Sequence, residues 1–472
     1  MLSRKIAYNT IISAGARIIG LALSLITVGL IARYLGQVQF GYYATILAFL
    51  YFFNVLADLG LYSVCLRDIS RIGADEKKIV SNAFSLRFFA GLFFLGLAPV
   101  VVYFFPYPEQ VKIGVLIGAI GFWALSNQQV LVGVFQKHLK MDRIIAGELL
   151  GRLTQLGLVV FFIWRDFGFL PIVAAFVGGA LINFILVFLF TREFIPVSFQ
   201  FDFIFWKKIL KESLPLALAI VFTVIYFKLD TIMLSLMKSP VDVGIYNLSY
   251  KLLESLLFFP AMFVGLIMPL MSRYAIFKKD KFKKITQKTL DILLIFIFPM
   301  MAGIFFLSSK IVVLIGGDDF ILSGGVLNVL IIAAGVIFLG VLFSNIIISL
   351  KKQKALTVIY GFGAIFNLAA NFIFIPKYSY YGAAWTTVLT ELIVTAMMIF
   401  IVYKSLNYLH SFKIIFKCAA AVLIMILPLY FLNNWHLFIL APLSALIYFV
   451  CLWLFKGVSS EEIMFLVKKE VN

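Results

Sequence analysis

Charge is what this chain has least of. Only 13% of its 472 residues are Asp, Glu, Lys or Arg, while 63% are apolar or aromatic. A soluble domain runs near a quarter charged, and no soluble core could bury so large an apolar share, so a soluble protein is excluded. Cysteine is scarce as well. Cys65, Cys418 and Cys451 lie in or near apolar runs without motif spacing, which argues against a disulfide framework or a zinc site. The three histidines, His138, His410 and His436, fall at expected helix ends or loops, and no H-E-x-x-H occurs. There is no G-x-x-x-x-G-K-[ST] loop to hold ATP and no G-x-S-x-G elbow to present a nucleophile. The expectation is a protein that is not an enzyme, with no cofactor and no metal.

What is present is a series of long apolar runs. A helix needs roughly 20 such residues to cross a bilayer. The runs predict an all-α polytopic membrane protein of about 14 spans, near 10–32, 41–66, 83–105, 111–135, 144–165, 168–191, 214–236, 244–270, 287–308, 326–349, 355–375, 381–403, 412–432 and 435–456. The basic Arg4-Lys5 start resembles a signal peptide, but the apolar run continues too far and is read as the first membrane helix.

The net charge of +18 sits between the spans, as membrane topology and not nucleic-acid binding would place it. Alternate loops hold most lysines and arginines, from Arg67, Arg71, Lys77 and Lys78 through Lys278–Lys284 to Lys468 and Lys469. The positive-inside rule then puts both termini in the cytoplasm. Trp164, Trp385 and Trp435 fall near expected outer ends, and Trp206 and Trp453 near inner ends, where aromatic belts form.

Three segments read as amphipathic: Phe203–Lys211, Phe412–Lys417, and a tail from Ser459, where Ser459 and Glu462 form a capping box. A solvated loop-helix of no special role is the alternative for each. The first lies in a linker, 193–213, that divides the chain into six spans plus six. An even number per half leaves both halves in one orientation. The expected organisation is therefore a six-helix lobe at 1–192, the linker, a second six-helix lobe at 214–405, a hairpin of spans 13 and 14 at 406–458, and the tail at 459–472. Two pseudo-symmetric lobes of this kind would enclose a central cavity. A sparse internal echo agrees, since Gly41-Tyr42-Tyr43 opens one apolar run and Gly244-Ile245-Tyr246 opens another about 203 residues later. Its charges do not repeat.

Charge inside a span is costly and is a functional hypothesis by default. The cations are Arg17, Arg152, Lys228 and Lys251; the acids are Asp58, Glu148, Asp230, Glu254 and Glu391. Glu148 and Arg152 stand at i,i+4, and Lys251 and Glu254 at i,i+3, so each pair can neutralise itself. Arg17 and Asp58, on adjacent spans, could pair with each other, but Arg17, like Lys228 and Asp230, is read as facing the cavity. Lys228 and Asp230 point to different faces and need partners elsewhere. Gly114-x-x-x-Gly118 and Gly147-x-x-x-Gly151 permit close helix packing. Pro99, Pro260 and Pro299 could kink their spans, and Pro215 is expected in a first turn.

Four motifs in order carry a resemblance. Ala32-Arg33-Tyr34-Leu35-Gly36 with Phe40-Gly41-Tyr42-Tyr43 and Ala57-Asp58-Leu59-Gly60-Leu61 is similar to the start of bacterial polysaccharide repeat-unit (O-antigen and capsule) flippases. So are Ser213-Leu214-Pro215-Leu216-Ala217 with Lys228-Leu229-Asp230-Thr231, the stretch from Val243-Gly244-Ile245-Tyr246 to Lys251-Leu252-Leu253-Glu254, and Met268-Pro269-Leu270-Met271-Ser272-Arg273. These proteins form the polysaccharide transporter branch of the multidrug/oligosaccharidyl-lipid/polysaccharide exporter superfamily. The resemblance covers roughly 5–405. It implies a two-lobe flippase of the bacterial inner membrane that moves an undecaprenyl-pyrophosphate-linked oligosaccharide to the outer leaflet, coupled to an ion gradient. It also implies membrane lipids as partners and, in the same pathway, a polymerase and a chain-length regulator. Arg17, Arg152, Lys228 and Lys251 are then the substrate-binding candidates, and Asp58, Asp230 and Glu391 the ion-coupling candidates. A cation-coupled multidrug exporter and a peptidoglycan lipid precursor flippase are rivals on the same fold. A membrane-embedded polymerase or glycosyltransferase is the rival of another class, disfavoured by the short expected outer loops.

Overall fold

The computed structural model describes residues 2–457 apart from 59, 72 and 409; of 2–14, 63, 214–220, 223–226, 276 and 277 it describes only the backbone. The expected tail helix at 459–472 lies outside the described residues. Among them the chain is helical, with no strand. The helices are α1 (Leu2–Asp58), α2 (Leu61–Ile69), α3 (Glu76–Val101), α4 (Glu109–Lys137), α5 (Met141–Trp164), α6 (Phe169–Thr191), α7 (Phe203–Met237), α8 (Pro240–Phe277), α9 (Lys279–Gly316), α10 (Ser323–Ser349), α11 (Gln353–Leu406), α12 (Ile414–Phe431) and α13 (Leu437–Leu454).

Among the described residues eleven helices are long and apolar enough to cross a membrane. Two of them, α1 with 57 residues and α11 with 54, are far longer than one crossing requires. Each contains a break. In α1 it is Gly36, at φ 65°, a left-handed value that glycine adopts without steric cost. In α11 it is Ser379, at φ 49°. There the chain reverses, because a Cβ on Gly382 would overlap the Phe374 carbonyl, eight residues back; along a straight helix these would stand about 12 Å apart. Split at the breaks, and with α2 as the tail of the second span beyond left-handed Gly60, the helices give the fourteen apolar segments read from the sequence. This is a multi-pass membrane protein.

The chain divides into two compact units, Met1–Asn247 and Leu248–Asn472, with the limit inside α8. In the first unit α7 packs against α1. It also begins at Phe203, so the amphipathic segment and span seven form one helix, and Pro215 stands well past the first turn. Before it, residues 195–202 run as a non-helical strip along α3. Serine and asparagine side chains on α3 take the strip's amides: Ser198 N donates to Ser81 Oγ (3.2 Å), Gln200 N to Ser85 Oγ (2.9 Å) and Asp202 N to Asn82 Oδ1 (2.9 Å). Asp202 then caps α7 by accepting from Phe205 N and pairs with Lys78 at 2.9 Å. That contact, a hydrogen bond with Lys78 first, holds the Asp202 carboxyl below its usual range.

Both small-residue motifs serve close packing, as read. Gly114 and Gly118 admit Ile46 and Leu50 of α1, and Gly151 of α5 lies against Gly179 of α6 so closely that a Cβ on either would come within 2.7 Å of the other's carbonyl oxygen. In the second unit α12 and α13 pair and lie on α9 through Cys418, Met425, Leu440 and Tyr448, with the Tyr448 hydroxyl donating to the Ile295 carbonyl at 2.9 Å.

Candidate functional site

Both α4 and α5 lie along α6 but meet each other little. The gap between them holds two adjoining cavities in the first unit, about 320 and 370 Å³. The first is walled by Arg17 of α1, Tyr62 of α2, Gln128, Gln129 and Gln136 of α4, and Glu148 of α5. The second adds Arg152, Gln155 and Asn183 and shares Gln128 and Glu148. So many polar side chains inside apolar spans mark a place built for a polar guest.

The structure brings Arg17, Glu148 and Arg152 together there. Arg152 bonds Glu148 at 2.9 Å and donates to the Gly20 carbonyl at 3.0 Å, so the local pair expected from the i,i+4 spacing forms and ties α5 to α1. Arg17 does not pair with Asp58, the alternative that the sequence left beside a cavity-facing role. Asp58 bonds Arg87 instead, a residue that the sequence reading passed over. Arg87 is fully buried on α3 and uses its whole fork: Nε donates to Ser126 Oγ at 2.7 Å, Nη1 to Asp58, and Nη2 to Gln129 Oε1 at 3.2 Å. The signal was available, since Arg87 falls four residues inside the span expected at 83–105. An arginine so near a cytoplasmic end looks like a loop residue until its burial is known. Among the described residues Arg17 makes no ion pair, which leaves its charge to the cavity.

The remaining first-unit candidates cluster elsewhere. The Lys228 ammonium lies 5.7 Å from the centre of the Tyr51 ring, a cation–π contact. Asp230, 2% exposed, accepts from the Tyr246 hydroxyl at 3.0 Å. Thr231 donates to Asn247 at 3.1 Å and Tyr107 and Ser235 share a hydrogen bond of 2.7 Å. Beside them the first turns of α8 press on α1 backbone to backbone. A Cβ on Gly41 would overlap the Pro240 carbonyl, and one on Gly244 would overlap the Gln37 carbonyl. The two glycines that head the repeated apolar runs face each other, and only hydrogen fits between the chains.

In the second unit Lys251 bonds Glu254 at 3.0 Å, again the local pair. Glu391, 4% exposed, stands on the second half of α11. Counting from the reversal at Ser379, Asn367 and Glu391 are both twelve residues away, and Asn371 and Thr387 both eight, so the hairpin sets them at matching depths. Asn371 donates to Asn367 Oδ1 at 3.0 Å. Thr386, Thr390 and Thr395 complete a buried hydroxyl and amide seam, in which Asn367 Nδ2, Thr386 Oγ1 and Thr395 Oγ1 lack a protein partner.

A profile described as polysaccharide biosynthesis protein matches residues 6–275, more than half of the chain, and a MatE profile matches 215–373. No curated protein matches by sequence. Among solved structures the fold is similar to the lipid II flippase MurJ in an inward closed conformation, with TM-score 0.77, 17% identity, and coverage of 94% of this chain and 98% of that one. It is similar to an inward-facing multidrug resistance MATE family transporter of the MOP superfamily, with TM-score 0.64, 13% identity, and 82% and 95% coverage. It also resembles a MOP superfamily transporter from Pyrococcus furiosus, with TM-score 0.56, 12% identity, and 86% and 96% coverage. Fourteen apolar segments, the ordered motifs and the profile match agree, and the chain belongs to the polysaccharide biosynthesis protein family.

Proposed function

We propose that this protein is a lipid-linked oligosaccharide flippase of the bacterial inner membrane, with both termini cytoplasmic. It moves undecaprenyl-pyrophosphate-linked repeat units to the outer leaflet by alternating access, for surface polysaccharide such as O-antigen or capsule. A polymerase and a chain-length regulator of the same pathway would take up its product. The observation that carries this reading is the polar cavity around Arg17 inside apolar helices of a polysaccharide biosynthesis family member. A charged headgroup on an apolar tail needs such a hydrated, charge-bearing recess to pass a bilayer.

Arg152 and Lys251 are engaged by Glu148 and Glu254, so the pyrophosphate falls first to Arg17, with Lys228 as the further cation in reach of the path. Coupling to a proton or sodium gradient falls to Asp230 and Glu391, two deeply buried carboxylates, because Asp58 is held by Arg87. The backbone contact of Gly41 and Gly244 suits a face that closes tightly in one state and parts in the other.

The test is transport of a fluorescent undecaprenyl-pyrophosphate oligosaccharide in proteoliposomes. The wild type is expected to move it, and Arg17→Ala and Lys228→Ala to abolish movement while inserting normally. Wild-type rates in both variants would overturn the assignment. The likeness to the MurJ fold favours one second reading, a flippase of the peptidoglycan lipid precursor. The same assay run with that lipid separates the two.

A further inference from the structure

The cavity of about 320 Å³ is lined by more amide than charge, and that composition is informative. A glutamine offers a carbonyl acceptor and two N–H donors, the pattern that matches hydroxyl groups, which donate and accept at once. A pyrophosphate wants cations. The cavity's charged lining is one cation, Arg17, and one carboxylate, Glu148, which repels an anion. The volume lies at the small end of the roughly 300–1,000 Å³ of small-molecule pockets, room for one or two sugar rings.

The orientation of Gln129 is built in. Arg87 has donors only, so its Nη2 contact fixes the Gln129 carbonyl oxygen towards the buried guanidinium. Asp58 balances the charge and Ser126 holds the other edge of the fork. Gln129 borders the cavity while Arg87 is fully buried behind it. With Oε1 spent inward, the NH2 group is left for the cavity side.

We propose that this cavity is a pyranose subsite for the sugar next to the pyrophosphate, with Gln128, Gln129, Gln136 and Tyr62 as its hydroxyl-recognising wall and Arg87 as the residue that positions Gln129. The proposal rests on the flippase reading and specifies it: Arg17 takes the phosphate side, and the amides take the sugar. A site that hydrogen-bonds a substrate hydroxyl discriminates strongly against the analogue that lacks it.

The experiment measures binding of two probes to the purified full chain: undecaprenyl pyrophosphate, and the same lipid carrying one N-acetylhexosamine. The wild type is expected to bind the sugar-bearing lipid more tightly. Gln129→Met removes the donor and adds no charge to the cavity. It and Gln136→Ala are each expected to lose about tenfold for the sugar-bearing lipid, the scale of one hydrogen bond, with the bare lipid unchanged. Arg87→Lys, which keeps the charge and loses the fork, is expected to show the same selective loss. Arg17→Ala is expected to weaken both probes. Unchanged affinity for the sugar-bearing lipid in Gln129→Met and Gln136→Ala, or equal losses for both probes, overturns the subsite and leaves the flippase reading standing. A wild type that binds neither lipid overturns both.

Discussion

The two units differ in what meets their most deeply buried polar groups. In the first, fully buried Arg87 is met by Asp58; less buried pairs, Glu148 with Arg152 and Glu76 with Lys137 at 2.7 Å, have a counterpart in Lys251 with Glu254 of the second. In the second, the deepest carboxylate, Glu391, shares its hairpin with asparagines and threonines, and the buried histidine, His410, contacts the Thr286 hydroxyl at 2.9 Å. A paired buried charge is locked, because either partner alone in low dielectric costs several kcal/mol. The contrast marks the Asp58–Arg87 pair as part of the framework, on a chain whose apolar runs echo each other while their charges do not.

The sharpest way to break that contrast is to split the locked pair. Asp58→Ala leaves Arg87 charged and buried, since a guanidinium does not deprotonate in proteins. A loss of about 3–5 kcal/mol is expected, enough to remove most folded protein from a detergent extract. The double variant Asp58→Leu/Arg87→Met replaces both charges with apolar groups and is expected to recover most of the stability. Fluorescence-detected thermal unfolding reads both. A stable Asp58→Ala would mean that the pair is not locked, and Asp58 would return to the coupling candidates.

The matching change in the second unit predicts the opposite split. Glu391→Gln keeps shape and hydrogen-bonding capacity in a seam already rich in amides and hydroxyls, so the unfolding midpoint should move little. Transport should lose its response to an imposed ion gradient, because an amide neither binds a proton nor neutralises a cation. Proteoliposomes with and without the gradient give the measurement, and retained gradient dependence would move coupling to Asp230.

How much of this was legible in the sequence follows from how local each feature is. Span number and type were legible because about 20 consecutive apolar residues are a contiguous signal. Glu148–Arg152 and Lys251–Glu254 were legible because i,i+3 and i,i+4 neighbours share a helix face whatever the tertiary fold. Asp58–Arg87–Gln129 was not, since it joins α1, α3 and α4 over separations of 29 and 42 residues, and only the packing fixes which face of each helix meets which. For the same reason the sequence could not decide whether Arg17 meets Asp58: adjacency of spans says nothing of rotation about their axes. The start of α7 was misplaced because Phe203–Lys211 is amphipathic rather than apolar, so hydropathy marks the membrane boundary and misses the helix boundary. The echo of Gly41 and Gly244 was visible as sequence, but their contact was not.

The last test sharpens the contrast outside the apolar spans, where pH can be varied freely. His410 lies between α11 and α12, 3% exposed, and burial lowers its pKa from the usual 6.5 to about 4. A folded-state pKa below the unfolded value means that the unfolded chain binds more protons between those limits, so stability rises with pH across them. The contribution of neutral His410 is therefore complete above pH 6.5 and declines as pH falls towards 4, by at most about 1.4 kcal/mol per pH unit. His410→Gln retains a partner for Thr286 and cannot titrate. The difference in unfolding midpoint between wild type and variant should be constant above pH 6.5 and shift in favour of the variant below it. A difference that stays flat down to pH 4 would mean that burial does not hold His410 neutral.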